Sequence, residues 1–146
     1  MAEASSEPSA AQPTIVVSIA WVVGAVVVAC LVGLLFASIA RAAGSPHKFK
    51  PLKPGSFVPL IIFGIVMGAI GWALIRRYAS RPRALLKIMV PAVVVVSWIP
   101  DIVLYTSKTQ AGTTGRGVLT VMLLHLAVAA IAVFAFLKAM PLPADR

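Results

Sequence analysis

Residues 84–105 read ALLKIMVPAVVVVSWIPDIVLY, an apolar run that contains two prolines, one tryptophan and one carboxylate. The run is long enough to cross a bilayer as a helix, because about 20 apolar residues match the thickness of the hydrocarbon. Its most unusual part is Ser97-Trp98-Ile99-Pro100-Asp101. Here a carboxylate and a helix-breaking ring fall where the surroundings should be hydrocarbon, so this stretch marks the centre of any activity.

Three further apolar runs cover residues 15–40, 57–75 and 118–137. Of the 146 residues 60% are hydrophobic and 12% are charged, whereas soluble domains carry about 25% charged residues. Continuous apolar runs span membranes as helices, not as barrel strands. The sequence therefore predicts an all-α, four-helix transmembrane bundle over residues 14–140, between a disordered polar tail (1–13) and a short C-terminal tail (141–146).

Two faces of small residues are predicted to mediate helix packing. They comprise Ala25, Ala29 and Gly33 in the first span and Gly64, Gly68 and Gly71 in the second. Residues at this spacing share a helix face, and small side chains let two helix backbones approach closely in lipid. Packing within the chain and homo-oligomerisation both fit these faces.

Basic residues flank the spans and give a formal net charge of +9. The connection between the second and third spans carries Arg76, Arg77, Arg81 and Arg83, which we expect to contact anionic lipid headgroups rather than nucleic acid. Because cytoplasmic loops are enriched in Lys and Arg, the pattern favours a cytoplasmic position for this connection. With four spans, both termini are then cytoplasmic as well.

Asp101 and His125 form the candidate polar site within the membrane. By helical rise Asp101 lies roughly 6 Å and His125 roughly 10 Å from the same end of the bundle. A short connection joins their spans, so we expect antiparallel neighbours whose side chains meet, with Trp98 close to Asp101. Ser97 and Tyr105 complete the candidate site.

The pair has two interpretations. An ionisable group at this depth costs about 2.5–3.5 kcal/mol on insertion scales and is a functional candidate, here as a proton-responsive pair or part of a polar pathway. Alternatively, Asp101 reaches water or caps a backbone group freed by Pro100, and His125 bonds a carbonyl. Pro100 is also predicted to disturb the preceding turn and to free the Val96 carbonyl.

Motifs for catalysis, metal binding and cofactor binding are not found in the sequence. There is no HExxH, Walker loop or GxSxG motif, and one His with one Asp does not make a metal site. A single cysteine, Cys30, excludes an internal disulfide. The sequence therefore predicts neither an enzyme nor a bound metal or cofactor.

Residues 15–138 resemble a family of actinobacterial membrane proteins grouped as domain of unknown function 6069. The resemblance is carried by LKPGS (52–56), WALIRR (72–77), RPR (81–83), SWIPD (97–101) and MLLHLAVA (122–129). It implies a four-helix protein of the bacterial plasma membrane with no assigned activity.

The sequence has many helix-packing motifs and few residues suited to catalysis. It therefore predicts an accessory or structural membrane protein with a packed helix bundle. The alternative is a small transporter or channel subunit that uses Asp101 and His125. A cavity that reaches Asp101 would favour the alternative, and a fully packed bundle would favour the first function.

Overall fold

The computed structural model describes residues 13–143, which form an all-α fold without strands in that range. Its helices are α1 Ile15–Ala42, α2 Pro54–Tyr78, α3 Pro82–Ser97, α4 Ile99–Ser107 and α5 Gly115–Ala139, with a 3₁₀ turn at Lys50–Leu52. Because α3 and α4 together form one apolar segment, the described chain has four segments long and apolar enough to cross a membrane. The predicted fold class is confirmed.

The helices contain the four predicted spans and extend most of their ends by two to three residues. The extensions come from residues that suit helix ends, such as Pro54 and Pro82 in first turns and Thr14 and Thr114 as side-chain caps. Most of the predicted polar tail at residues 1–13, and residues 144–146 of the predicted C-terminal tail, lie outside the described residues.

The third span is broken at Trp98, whereas the sequence analysis treated residues 84–105 as one helix. Pro100 has no backbone N–H to donate to the Val96 carbonyl, and its ring crowds the preceding turn. Pro59 and Pro91 also lack the donor, but α2 and α3 continue through them. The Trp98 amide instead donates to the Val95 carbonyl at 3.2 Å, and the Ile102 amide donates to the Trp98 carbonyl at 3.0 Å. One helix therefore ends at Ser97 and another begins at Ile99, with Pro100 in its first turn.

The core of the bundle lies where α1 packs against α5 and α2. The small residues of α1 face this core: Ala25, Gly33 and Ala37 are buried, and Ala29 is 0% exposed. A Cβ added at Gly33 would lie 2.8 Å from Cε2 of Phe57 on α2, so only glycine permits this approach. Close backbone contact thus holds α1 in place.

In contrast, α3 stands away from the rest of the bundle. Most of its large side chains are exposed, and it contacts α2 and α5 over small areas. A cavity of about 900 Å³ remains between α2, α3 and α5, and we call it the lateral groove. Its walls include Gly64 and Gly68 on α2, Val93 on α3 and Val128 on α5.

The second small-residue face, predicted to pack against a helix, lines this groove. Gly64 is exposed, and a Cβ at Gly64 or Gly71 would have no described neighbour within 4 Å. Gly68 alone approaches a side chain, with Phe136 Cε2 at 3.2 Å from a Cβ position. Within the described chain Gly64 and Gly71 make no tight contact, because α3 does not close onto α2 there, and the packing role of this face stays a prediction.

Both ends of the bundle are covered by hydrogen-bonded connections. At one end, Arg41 donates to the Leu52 carbonyl and Arg116 to the Ala43 carbonyl, both at 3.1 Å, and Phe49 is buried beneath them. At the other end, the Trp72 indole donates to the Met140 carbonyl at 3.1 Å. These bonds satisfy carbonyls outside the regular helices.

We predict that Ala29→Leu destabilises the bundle. The larger side chain has no space in the α1 seam, and overpacking of this kind costs about 1–3 kcal/mol. The measurement is the unfolding temperature in detergent, with Ala20→Leu as the control on the exposed side of the same helix. Equal unfolding temperatures for the two variants would contradict the α1 packing described above.

Candidate functional site

Asp101 is the buried acidic group of the site. It lies in the first turn of α4, immediately after the break at Trp98, and is 8% exposed. The amide dipoles at the start of a helix favour a negative charge in this position. The break thus both brings the carboxylate into the bundle and supplies part of its stabilisation.

His125 meets Asp101 from the neighbouring antiparallel helix α5. Its Nδ1 lies 3.2 Å from Asp101 Oδ2, and the two side chains are 38% and 12% exposed, respectively. Neither atom makes a hydrogen bond of good geometry to a described residue. The contact is therefore a close ionic pair when the imidazole is protonated, with capacity left for a further donor or acceptor.

Trp98 fastens the break in the third span to α5. Its indole Nε1 donates to the Met122 carbonyl at 3.1 Å, about one turn before His125. This bond fixes where α4 begins relative to α5, and so fixes the distance between the two ionisable groups. Trp98 therefore positions α4 against α5, and it does not line the lateral groove.

Ser97 lies at the end of α3 and lines the lateral groove together with Asp101 and His125. Its hydroxyl donates to the Val94 carbonyl at 2.7 Å and keeps an accepting lone pair. Tyr105 does not join them. Its half-exposed ring lies beside Gly115 at the start of α5, because α4 after Asp101 runs toward the end of the bundle.

Two polar residues that were not predicted as site residues also line the groove. Gln110 belongs to the connection before α5, and its Oε1 is buried without a described hydrogen-bond partner. Lys50 lies at the 3₁₀ turn and brings a cation to the same lining. The only sequence signal was that Gln110 is the sole amide side chain in its polar turn, and that signal does not reveal burial.

The arginines expected to contact lipid headgroups gather at the opposite end, between α2 and α3. Arg77 places its guanidinium 5.6 Å from the centre of the Tyr78 ring, and Arg83 donates to the Leu142 carbonyl at 3.4 Å. Arg81 is the exposed residue that precedes α3, and Arg76 is half-buried. Their contact with lipid stays a prediction.

In chemical terms the site offers one carboxylate, one imidazole, one amide, one ammonium group and the hydroxyl of Ser97. Among residues 13–143, His, Cys, Asp and Glu side chains do not gather in threes as a metal site would require. The arrangement can exchange a proton, and it can hydrogen-bond a polar group that enters along the groove.

The family model described as a family of unknown function (DUF6069) matches residues 11–141. The chain belongs to this family. The match covers the four spans and the whole candidate site. Comparisons with curated proteins and with solved structures found no match. The case for an activity therefore depends on the site itself.

We predict that Asp101 and His125 contribute to stability as a coupled pair. A double-mutant cycle with Asp101→Asn and His125→Gln should give an interaction free energy of about 1 kcal/mol, as expected for residues in direct contact. The measurement is the free energy of unfolding in mixed micelles at a pH where the imidazole is charged.

The control cycle combines Asp101→Asn with Trp21→Phe, a residue whose ring packs on Phe134 in a separate part of the bundle. This cycle should be additive, because distant sites do not interact. Additivity in both cycles would mean that the 3.2 Å contact carries no energy.

Proposed function

We propose that the chain is a non-catalytic accessory protein of the membrane that binds another molecule of the bilayer in its lateral groove. The observation that carries the proposal is the groove between α2, α3 and α5, whose lining includes the Asp101–His125 pair. An apolar wall with a few converging polar groups is typical of ligand sites.

The size of the groove supports binding. Its volume of about 900 Å³ lies within the range of about 300–1,000 Å³ that small-molecule sites occupy. Every helix that faces bulk lipid has apolar side chains, so apolarity alone would mean little. What distinguishes this surface is its buried polar groups: the Asp101–His125 pair, whose contact is not a hydrogen bond of good geometry, and Gln110 Oε1, which has no hydrogen-bond partner among the described residues.

A small transporter subunit is the second candidate, and the cavity that reaches Asp101 favours it. Passage across the membrane needs access from both surfaces, however. The far part of the groove is lined by the buried side chains of Trp72 and Phe136, whose ring centroids lie 5.7 Å apart. This wall supports binding in preference to passage.

The absence of catalysis is part of the proposal. Asp101 and His125 could act as a general acid and base, and the hydroxyl group of Ser97 lines the same groove. That hydroxyl donates to the Val94 carbonyl, however, and covalent catalysis would require a nucleophile hydrogen-bonded to the base. A metal-ligand cluster is not found among residues 13–143 either.

We predict that Gly64→Leu reduces the amount of bilayer lipid that stays bound to the purified protein. A leucine there has open space and projects into the groove, so it competes with the occupant without straining the fold. Native mass spectrometry from mild detergent measures the retained mass. Gly24→Leu is the matched control, because Gly24 lies in open space on α1 outside the groove.

Retention should fall several-fold for Gly64→Leu and stay at the wild-type level for Gly24→Leu. If the two variants retain equal amounts of lipid, the groove is an ordinary lipid-facing surface and the proposed function is wrong.

We also propose that the protein resides in the bacterial plasma membrane with both termini and the connection at Arg76–Arg83 in the cytoplasm. The basic side chains at both span ends support this orientation. In a Cys30→Ala background, an impermeant thiol reagent added to intact cells should label Ala111→Cys and leave Ser80→Cys unlabelled. These two exposed positions lie in connections at opposite ends of the bundle. The reverse labelling pattern would invert the orientation.

A further inference from the structure

We infer that the occupant of the lateral groove is an uncharged amphiphile with a hydroxyl-bearing polar end, as in a glycerol-based lipid. The inference deepens the proposed function and rests on it. Its basis is the chemistry of the groove lining at Asp101, His125, Gln110 and Lys50, together with the apolar length of groove beyond them.

The buried polar atoms of the lining that lack partners are mainly acceptors. Gln110 Oε1 is buried without a hydrogen-bond donor among the described residues. Asp101 Oδ2 has the His125 Nδ1 atom at 3.2 Å but no hydrogen bond of good geometry, and the same holds for that nitrogen. Asp101 is also more than nine-tenths buried as a residue. Buried acceptors of this kind are nearly always paired in folded proteins. A molecule that brings O–H donors into the groove would satisfy them.

Charge in the lining argues against an ionised polar end. Lys50 contributes one positive charge and Asp101 one negative charge, and both line the same groove. An ammonium group would have to displace His125 from the carboxylate. A phosphate or carboxylate would be repelled by the buried carboxylate of Asp101. Its attraction to Lys50 is weaker, because Lys50 is exposed and water screens its charge.

A hydroxyl group avoids both penalties and uses each partner. It donates to the carboxylate or to the amide oxygen, and it accepts from Lys50 or from His125. A small polar end with two or three hydroxyl groups would therefore form hydrogen bonds with several of these lining residues at once.

The apolar part of the occupant follows from the length of the groove. Phe136 follows His125 by eleven positions on α5, which corresponds to about 16 Å at the rise of an α-helix. Along this stretch the opposite wall carries Gly64 and Gly71, which leave open space, and the flexible side chain of Met67. A long hydrocarbon chain fits this shape.

A second copy of the chain is the competing occupant, because the Gly64–Gly68 face could receive a helix. A helix would fill the apolar part of the groove. Its hydrocarbon surface would leave the acceptors of Asp101 and Gln110 unpaired, and the amphiphile is favoured for that reason.

The test is a competition among amphiphiles with the same C18 chain and different polar ends. Purified protein in detergent is mixed with equal amounts of monooleoylglycerol, oleic acid and oleylamine, and native mass spectrometry measures which of them stays bound. Monooleoylglycerol should be retained about tenfold over each charged competitor, which corresponds to one hydrogen bond to a charged group.

Gln110→Leu should reduce the preference for monooleoylglycerol several-fold. Its matched control is Ala111→Leu at the exposed neighbouring position, which should keep the wild-type preference. Unfolding temperatures establish that both variants are folded. An unaltered preference in a folded Gln110→Leu protein would overturn the role given to the amide.

The other outcomes separate the two proposals. Equal or greater retention of oleic acid or oleylamine overturns the uncharged polar end but leaves a binding groove. A dimer that Gly64→Leu converts to a monomer, with no amphiphile retained, overturns the amphiphile in favour of a second copy. If no amphiphile is retained and Gly64→Leu changes neither lipid content nor oligomeric state, both proposals fail.

Discussion

The missing N–H of Pro100 is the constraint on which the candidate site depends. The loss of that donor removes a hydrogen bond from the turn before Pro100, and the third span divides there, at Trp98, although it continues through Pro91. The division starts a new helix whose first turn holds Asp101, and the Trp98 indole ties the break to the Met122 carbonyl. The amide dipoles at the start of α4 and the imidazole of His125 stabilise this carboxylate. Its burial within the bundle keeps it away from lipid.

The unequal packing of the spans is the second determinant. In lipid the hydrophobic effect does not draw helices together, so close contact requires small residues. The α1 helix has such residues on the face that meets α5 and α2, and this seam is tight. In contrast, α3 contains five valines but only two alanines and no glycine. It has no seam of small residues and stays apart, and the lateral groove is the space that remains.

The helix break at Trp98 and the unequal packing of the spans favour a binding role over a purely structural one. A fully packed bundle would have suited a purely structural role. The structure instead combines a tightly packed part, α1 with α2 and α5, and an open side where buried polar atoms make no hydrogen bond of good geometry within residues 13–143. A binding role for a molecule of the bilayer accommodates both parts, because the tightly packed helices hold the polar groups and the open side admits the occupant.

The sequence by itself determined the number of spans, their approximate ends and the fold class, because hydropathy and helix-end signals are local. It also pointed to Asp101 and His125, since their similar depths follow from counting residues along two joined antiparallel helices. Their separation of 3.2 Å, the detached position of α3 and the burial of Gln110 came only from the tertiary structure. Small-residue spacing shows that a face is able to pack, as at Ala29 and at Gly64. Whether it packs depends on which helix lies opposite, and contacts between residues far apart in the chain decide that.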